Sequence, residues 1–366
     1  MAHSPAPSDP PFCPNERCPF HCGPTGLWRW QRAGYYRRQL APQRIQRYRC
    51  AHCGRYFSEQ TFRTCYWLKR PELAPAIFHD LVKCCGFRQV ARAHHASPQT
   101  VALHAARLAR HCQLFHERWR PQGPGREPLV LDSLQSFEHS QYHPVLFHVV
   151  VGQESHFFHG FTDSELRRSG RMSAAMRRRR ARLEGEFGRP DPRSIQREVA
   201  RLLGIIAPEP AALVLHSDQH ADYPRALREL PHLRVDHRTV SSRAARTTRN
   251  PLFAINLLDL LVRHCSANHK RETIAFSKRR QSASGRLWVF LVWRNYVKWF
   301  SERHPGATPA MRAGVCAERW SVRRILAQRL FLPRIGLPQR WREYYWGRTP
   351  TRRLPNARGH RLKYAA

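Results

Sequence analysis

Apolar side chains recur at helical spacing between residues 71 and about 112, at Leu73, Ile77, Leu81, Val90, Val101, Ala105 and Leu108. Such a stripe buries one face of a helix, and Gly86 and the pair Ser97-Pro98 interrupt it, so the segment predicts three helices. Residues 121–128, PQGPGREP, have the proline and glycine density of a linker, and the period changes beyond them. LVLDS, LFHVVVG and SHFFHGF are short β-branched and aromatic runs that predict three strands. A polar helix over 173–186 and an amphipathic one over 192–203 come next. Strand AALVLHS, a helix over 224–230 and strand LRVDH follow, then long helices over 251–264 and 286–301. The last stretch is rich in Arg and Trp, and no internal repeat is visible.

Three strands, then helix, strand, helix, strand is the order of the ribonuclease-H-like α/β sheet, an antiparallel meander continued by parallel strands. Composition sharpens this picture. Across 366 residues, 63 Lys and Arg face 26 Asp and Glu, a formal charge of +37 that points to a polyanionic partner and away from an ordinary metabolic enzyme. A hydrophobic share of 42% with ten Trp and eighteen Phe is enough to bury cores, which excludes a disordered basic tail. The opening MAHSPAPSDPPF lacks a basic start and apolar block, and LWVFLVW around Trp288 is too short to span a bilayer, so a cytoplasmic protein without membrane contact is expected. In that compartment the eleven cysteines read as thiols or metal ligands.

Cys13 and Cys18, then Cys50 and Cys53, form two close pairs separated by a stretch of Trp, Tyr, Arg and Gln. Two such knuckles can aim four thiolates at one structural zinc ion with Zn–S of about 2.3 Å, and Gly54 suits the turn after the last ligand. Cys22 is a rival fourth ligand. Cys65, Cys84, Cys85, Cys112, Cys265 and Cys316 read as small buried apolar residues. Around the zinc ligands, Arg29, Arg32, Arg37, Arg38, Arg44, Arg47 and Arg49 interleave with Trp28, Trp30, Tyr35, Tyr36 and Tyr48, a mixture suited to phosphate contact and stacking.

FRQVARAHHASPQTVALHAARLARHC has the layout of a helix-turn-helix, with a first helix over 87–94, a turn at His95-Ala96, Ser97 as cap and Pro98 opening the second helix. Gln99, Thr100 and His104 would then face base edges, with Arg107 and Arg110 nearer phosphates. With acids so scarce, two strand-end aspartates stand out: Asp132 in LVLDS and Asp218 in LVLHSDQHADY. On neighbouring strands they would converge as hard oxygen ligands for Mg²⁺; alternatively they pair with arginines. His216 and His220 flank Asp218: His216 alternates with the strand and reads as core, while His220 could approach a scissile phosphate or only orient the aspartate. Asp163 and Glu165 read as the start of a solvated basic segment.

The cysteine knuckles with their CGRYFS tail, Asp132, the SDQHADYPRAL segment, and RNPLFAINLLDLLVRH with its downstream RETIAFSKRR together resemble bacterial insertion-sequence transposases of the DDE type, over roughly residues 13–300. The resemblance implies a zinc ribbon over 13–62, a helix-turn-helix over 70–118 and a ribonuclease-H-like catalytic domain over 128–302. A basic helical insertion at about 165–190 would interrupt that domain, a tail over 1–12 would precede the ribbon, and a basic extension over 303–366 would close the chain. It implies two Mg²⁺ ions on Asp132 and Asp218, and places Asn256 where the family carries its third acid, with Arg263 as the basic position seven residues on. Asp259, three residues from Asn256 on the same helical face, could supply the missing carboxylate, or pair with Arg263. Arg177, Arg178, Arg179 and Arg180 and the C-terminus would track duplex backbone. The implied activity is strand cleavage and transfer at terminal inverted repeats by a homodimer or higher oligomer on double-stranded DNA, in the bacterial nucleoid. The alternative is a catalytically inactive DNA-binding protein, either a decayed transposase or a zinc-ribbon regulator.

Overall fold

A computed structural model describes residues 9–23, 26–39, 42–64, 66, 68–241 and 243–351. Cys65 and the end of the basic C-terminus lie outside them. The first sheet is antiparallel, with strands β1 (Trp30–Arg37), β2 (Arg44–Cys50) and β3 (Tyr56–Ser58) in that order. Gly34 takes φ +72° within the bulge between Arg32 and Tyr35, a conformation that costs glycine little. Trp28, Tyr48, Phe57 and Phe62 pack beneath this sheet with the cysteines. Phe12 joins them fully buried, so the ordered unit starts before Cys13 and the expected tail does not extend to residue 12.

Helices α1 (Ala74–Leu81), α2 (Phe87–Ala93) and α3 (Pro98–Trp119) follow. Ser97 caps α3, its Oγ accepting from the Thr100 N–H at 3.1 Å, and His95 makes the turn with φ +46°. The third helix runs past residue 112, where the sequence pattern fades, because its polar-looking continuation is buried too. His111 Nε2 donates to the Ile325 carbonyl at 2.7 Å and His116 Nε2 to the His159 carbonyl at 2.8 Å. Burial lowers these imidazoles to about 4 and about 3, keeping both neutral. Pro121 then disfavours further helix at Arg120.

The central sheet has strands β4 (Leu129–Glu138), β5 (Ser140–Gly152), β6 (Phe158–Glu165), β7 (Ala211–Ser217) and β8 (Leu233–Thr239), in the order β6-β5-β4-β7-β8. The first three are antiparallel, and β7 and β8 run parallel to β4. Alternation along β4 sorts its side chains: Leu129 and Leu131 pack with α5 (Ser194–Ile206) and α6 (Asp222–Arg228), whereas Val130 and Leu134 face α7 (Phe253–Cys265) and α8 (Arg280–Val292). Between them on the chain, α4 (Ala174–Phe187) buries only Leu183. The last long helix starts earlier than its apolar run suggests and ends in a π-turn, Trp293–Val297.

Two expectations are corrected here. The 121–128 segment does not separate cores: one apolar cluster contains Ile77, Val101 and Phe115 from the helices, Phe147 from the sheet and Trp288 from α8. The C-terminal region is not a free basic extension either. Through α9 (Pro309–Arg312), α10 (Val322–Leu326) and α11 (Gln339–Trp346) it adds Ala310, Ile325 and Trp341 to that cluster and Phe331 to the first sheet's core. Its aromatic residues give it enough apolar area to pack despite its charge. No helix among the described residues is long and apolar enough to cross a membrane.

Candidate active site and metal centre

Leu131 pairs with Ser217, the last residue of β7, in the parallel β4–β7 ladder, so Asp218 follows the end of the strand beside Asp132. Neighbouring strands lie about 4.8 Å apart, and alternation along β4 sends the Asp132 side chain to the α7 face. From α7, Asn256, Asp259 and Arg263 share one helical face, and all three line a cavity of about 620 Å³ with Asp132, Arg246 and Arg271.

The aspartates are held without being neutralised. Asp132 Oδ1 accepts from the Ser133 N–H at 2.7 Å, and Asp218 Oδ1 accepts from the His220 N–H at 3.1 Å. Among the described residues, none of Asp132, Asp218 and Asp259 has an Arg or Lys nitrogen within 4.0 Å, and Asp259 Oδ1 is buried with no hydrogen-bond partner. Burial, then repulsion from Asp218, raises the Asp132 carboxyl to about 6 despite the Ser133 N–H, Arg246 and His220. Asp259 is raised to about 7 by burial and by Asp132, against the pull of Arg263, Arg246 and Arg271. Asp132 thus meets like charge from Asp218 and imposes it on Asp259, in a cleft with Arg246, Arg263 and Arg271. Arg263 is no salt-bridge partner for Asp259; its guanidinium donates to the His269 carbonyl at 3.0 Å and the Gln135 carbonyl at 3.4 Å.

A chain of hydrogen bonds crosses the opposite face of the sheet behind Asp132. Ser164 Oγ lies 2.9 Å from His148 Nε2, His148 Nδ1 lies 2.7 Å from Ser133 Oγ, and Ser133 Oγ lies 3.0 Å from Tyr223 Oη. Burial lowers His148 to about 3, so the ring is neutral, with one nitrogen donating and the other accepting. The His220 ring lies against Tyr223 at 5.2 Å, and His216 is buried in strand β7. Sequence reasoning missed Ser133, Tyr223, Arg246 and Arg271. The first two sat inside the quoted motifs LVLDS and SDQHADY, while the arginines were indistinguishable among so many.

The four thiols of Cys13, Cys18, Cys50 and Cys53 lie within 4.8 Å of one another and can bind a metal such as zinc. Cys22 is exposed and outside this set. The Gly54 N–H donates to the Cys50 carbonyl at 3.0 Å with φ +71°, closing the second knuckle. Burial raises the Cys13 and Cys18 thiols, whereas at Cys50 the N–H donors of Cys53, Trp28 and His52 outweigh burial and bring the thiol down to about 7.

Other expectations divide. Gln99 is exposed and Thr100 half-exposed at the start of α3. His104 and Arg107 are corrected: both are buried, and Arg107 Nη2 donates to the Tyr66 carbonyl at 2.7 Å, so neither reaches a base or phosphate. They lie on the helix face that packs inward. Arg177, Arg178 and Arg179 are exposed on α4, while Arg180 donates to the Arg168 carbonyl and pairs with Glu184 at 3.4 Å. Asp163 and Glu165 are not solvated: Asp163 is fully enclosed and forms ion pairs with Arg280 and Arg340 at 3.1 and 3.0 Å, and Arg280 also pairs with Glu165 at 3.5 Å.

No protein-family profile matches the chain, and no curated protein matches it. Among solved structures it is similar to a chain of the cryoEM structure of the simian T-cell lymphotropic virus intasome in complex with PP2A regulatory subunit B56 gamma. Identity is 15%, 64% of this chain and 70% of that chain are covered, and the TM-score is 0.25, too low to carry an argument about this protein.

Proposed function

We propose that the protein is a metal-dependent DNA strand-transferase of the insertion-sequence transposase type, with a ribonuclease-H-like catalytic domain. The observation that carries this reading is the position of Asp132 on β4 beside the end of the adjacent parallel strand β7, which Asp218 follows, with Asp259 sharing an arginine-lined cavity with Asp132. Asp132, Asp218 and Asp259 would hold two Mg²⁺ ions, which when bound activate the attacking oxygen and stabilise the leaving one in in-line phosphoryl displacement. The unpartnered Asp259 oxygen favours it over Asn256 as third ligand, since an amide brings no negative charge. Arg246, Arg263 and Arg271 would orient the scissile phosphate, and Ser133 fixes the Asp132 carboxylate through its N–H. Gln99 and Thr100 at the helix-turn-helix would read terminal-repeat DNA, Arg177 to Arg179 would follow the backbone, and the cysteine knuckles would hold zinc. Two element ends brought together call for a dimer or larger assembly on DNA.

The test is cleavage of duplex DNA carrying the element's ends, with Mg²⁺ or Mn²⁺. Wild type is expected to nick and join, and Asp132→Ala to bind DNA but do neither. Equal inertness of both proteins, each still binding, would leave the inactive DNA-binding alternative.

A further inference from the structure

The zinc-ribbon sheet carries aromatic rings in water. Tyr56 is 52% exposed, Tyr35 49% and Tyr36 39%. Arginines flank these rings: the Arg44 guanidinium lies 3.7 Å from the Tyr35 ring centre, and Arg47 and Arg49 lie 5.4 and 5.6 Å from that of Tyr56. The pairing Arg49↔Tyr56 puts Tyr56 on one side of the sheet with Arg47 and Arg49, and Tyr36↔Ile45 adds Tyr36 to that side, whereas Tyr35, opposite Gln46, and Arg44 share the other with the buried Tyr48 and Cys50. Between the rings opens a pocket of about 270 Å³, lined by Tyr36, Arg47, Arg55, Tyr56 and Thr61 among others. Elsewhere arginines find carboxylates, as Arg63 does in Glu59 and Arg225 in Asp222. Among the described residues, Arg44, Arg47, Arg49 and Arg55 have no carboxylate within 4.0 Å.

We propose that the Tyr56 face binds single-stranded DNA, with one unpaired base seated in the pocket against Tyr56. Cations without counter-charges suit a polyanion, and exposed rings beside them suit a polymer that offers both phosphates and open π-faces. Duplex DNA offers only the first, because its base faces are already stacked on one another. The choice of DNA over RNA rests on the proposed strand-cleavage function, which creates single-stranded ends beside the element.

Fluorescence anisotropy of the full chain decides it, with zinc retained and no Mg²⁺ added, so that the result is independent of cleavage. The probes are a labelled oligothymidylate of about 12 nucleotides, an oligouridylate of equal length and a duplex of equal length. Tyr56→Ala is expected to weaken oligothymidylate binding about tenfold or more, with Tyr56→Phe within about twofold of wild type and duplex affinity of Tyr56→Ala within about twofold. Tyr36→Ala serves as a second variant on the same pocket, with zinc content reporting that each ribbon is folded. Loss of duplex and single-strand affinity in equal measure, tighter binding of oligouridylate, or unchanged affinity in the folded Tyr variants would each overturn the proposal. A wild type that binds but does not cleave would count against the catalytic reading alone.

Discussion

Two groups of acids sit on the same sheet and behave in opposite ways. On edge strand β6, Asp163 is clamped between Arg280 and Arg340, and Arg340 also pairs with Glu198 at 2.9 Å and Glu343 at 2.6 Å. At the sheet's centre, Asp132 feels Asp218 and Arg246, and Asp259 feels Asp132, Arg263, Arg246 and Arg271, without an ion pair to any of these arginines among the described residues. The ingredients are alike, but the distances differ. Guanidiniums in contact satisfy a carboxylate and make it structural, whereas guanidiniums held back leave charge for a cation to neutralise. The edge group joins the C-terminal helix α11 to the sheet, and the Trp341 indole seals it by donating to the Phe161 carbonyl at 3.0 Å over Gly160, where a Cβ would fall 2.5 Å from the ring.

The sharpest way to break this comparison is to remove one acid from each group. Asp132→Ala is expected to lower strand cleavage by about 10³-fold, the scale seen when a principal transition-state stabiliser is lost, without lowering the metal-free melting temperature. Asp163→Ala strands two buried guanidiniums and is expected to cost about 3–5 kcal/mol in urea unfolding. If Asp132→Ala destabilises the fold as much, the two groups do not differ in kind.

Within the central group, Asp259→Ala should reduce Mg²⁺-dependent cleavage by about 100-fold and Asn256→Ala by less than about tenfold, because only the first removes a charged ligand. The reverse order would return the third position to Asn256.

Titration gives an effect with a definite sign. With Asp132 raised to about 6 and Asp259 to about 7 and both required as carboxylates, cleavage should climb about a hundredfold per unit below pH 6, about tenfold between 6 and 7, and level off above about 7. Metal-free stability should run the other way. The folded state holds these protons more tightly than the unfolded chain, so their contribution is fullest below the ordinary carboxylate range near 4. It declines as pH rises towards 7. Thermal melts in metal-free buffer between those limits check it, and a rise in melting temperature attributable to these two residues would contradict the burial argument. Smallest of all, Ser133→Ala keeps the N–H that holds Asp132 but cuts the link from His148 to Tyr223, and should slow cleavage by about tenfold or less.

Much of the layout was legible because it is local. Periodicity located helices α2 and α3 and each strand of the central sheet, though β4 and β5 extend five or six residues beyond the runs that marked them, and the Cys13, Cys18, Cys50 and Cys53 spacing marked a set that meets in space. The misreadings share one cause. His104, Arg107 and Asp163 look like surface residues by type, yet all three are buried, Arg107 against the Tyr66 carbonyl and Asp163 with its charge met by Arg280 and Arg340. Side-chain type predicts exposure only on average, and long-range partners override it.

The amino-acid sequence by itself determined the order of elements along the chain and the spacing of the knuckles, since each depends on neighbours a few residues apart; it did not show that Asp132 lies inside β4, which runs on to Glu138, with Asp218 just past β7. Only the tertiary structure decided which of the scarce acids are free. That depends on whether an arginine from a distant segment comes within about 4 Å, and Coulomb energy falls too steeply with distance and solvent screening for mere abundance of arginine to settle it.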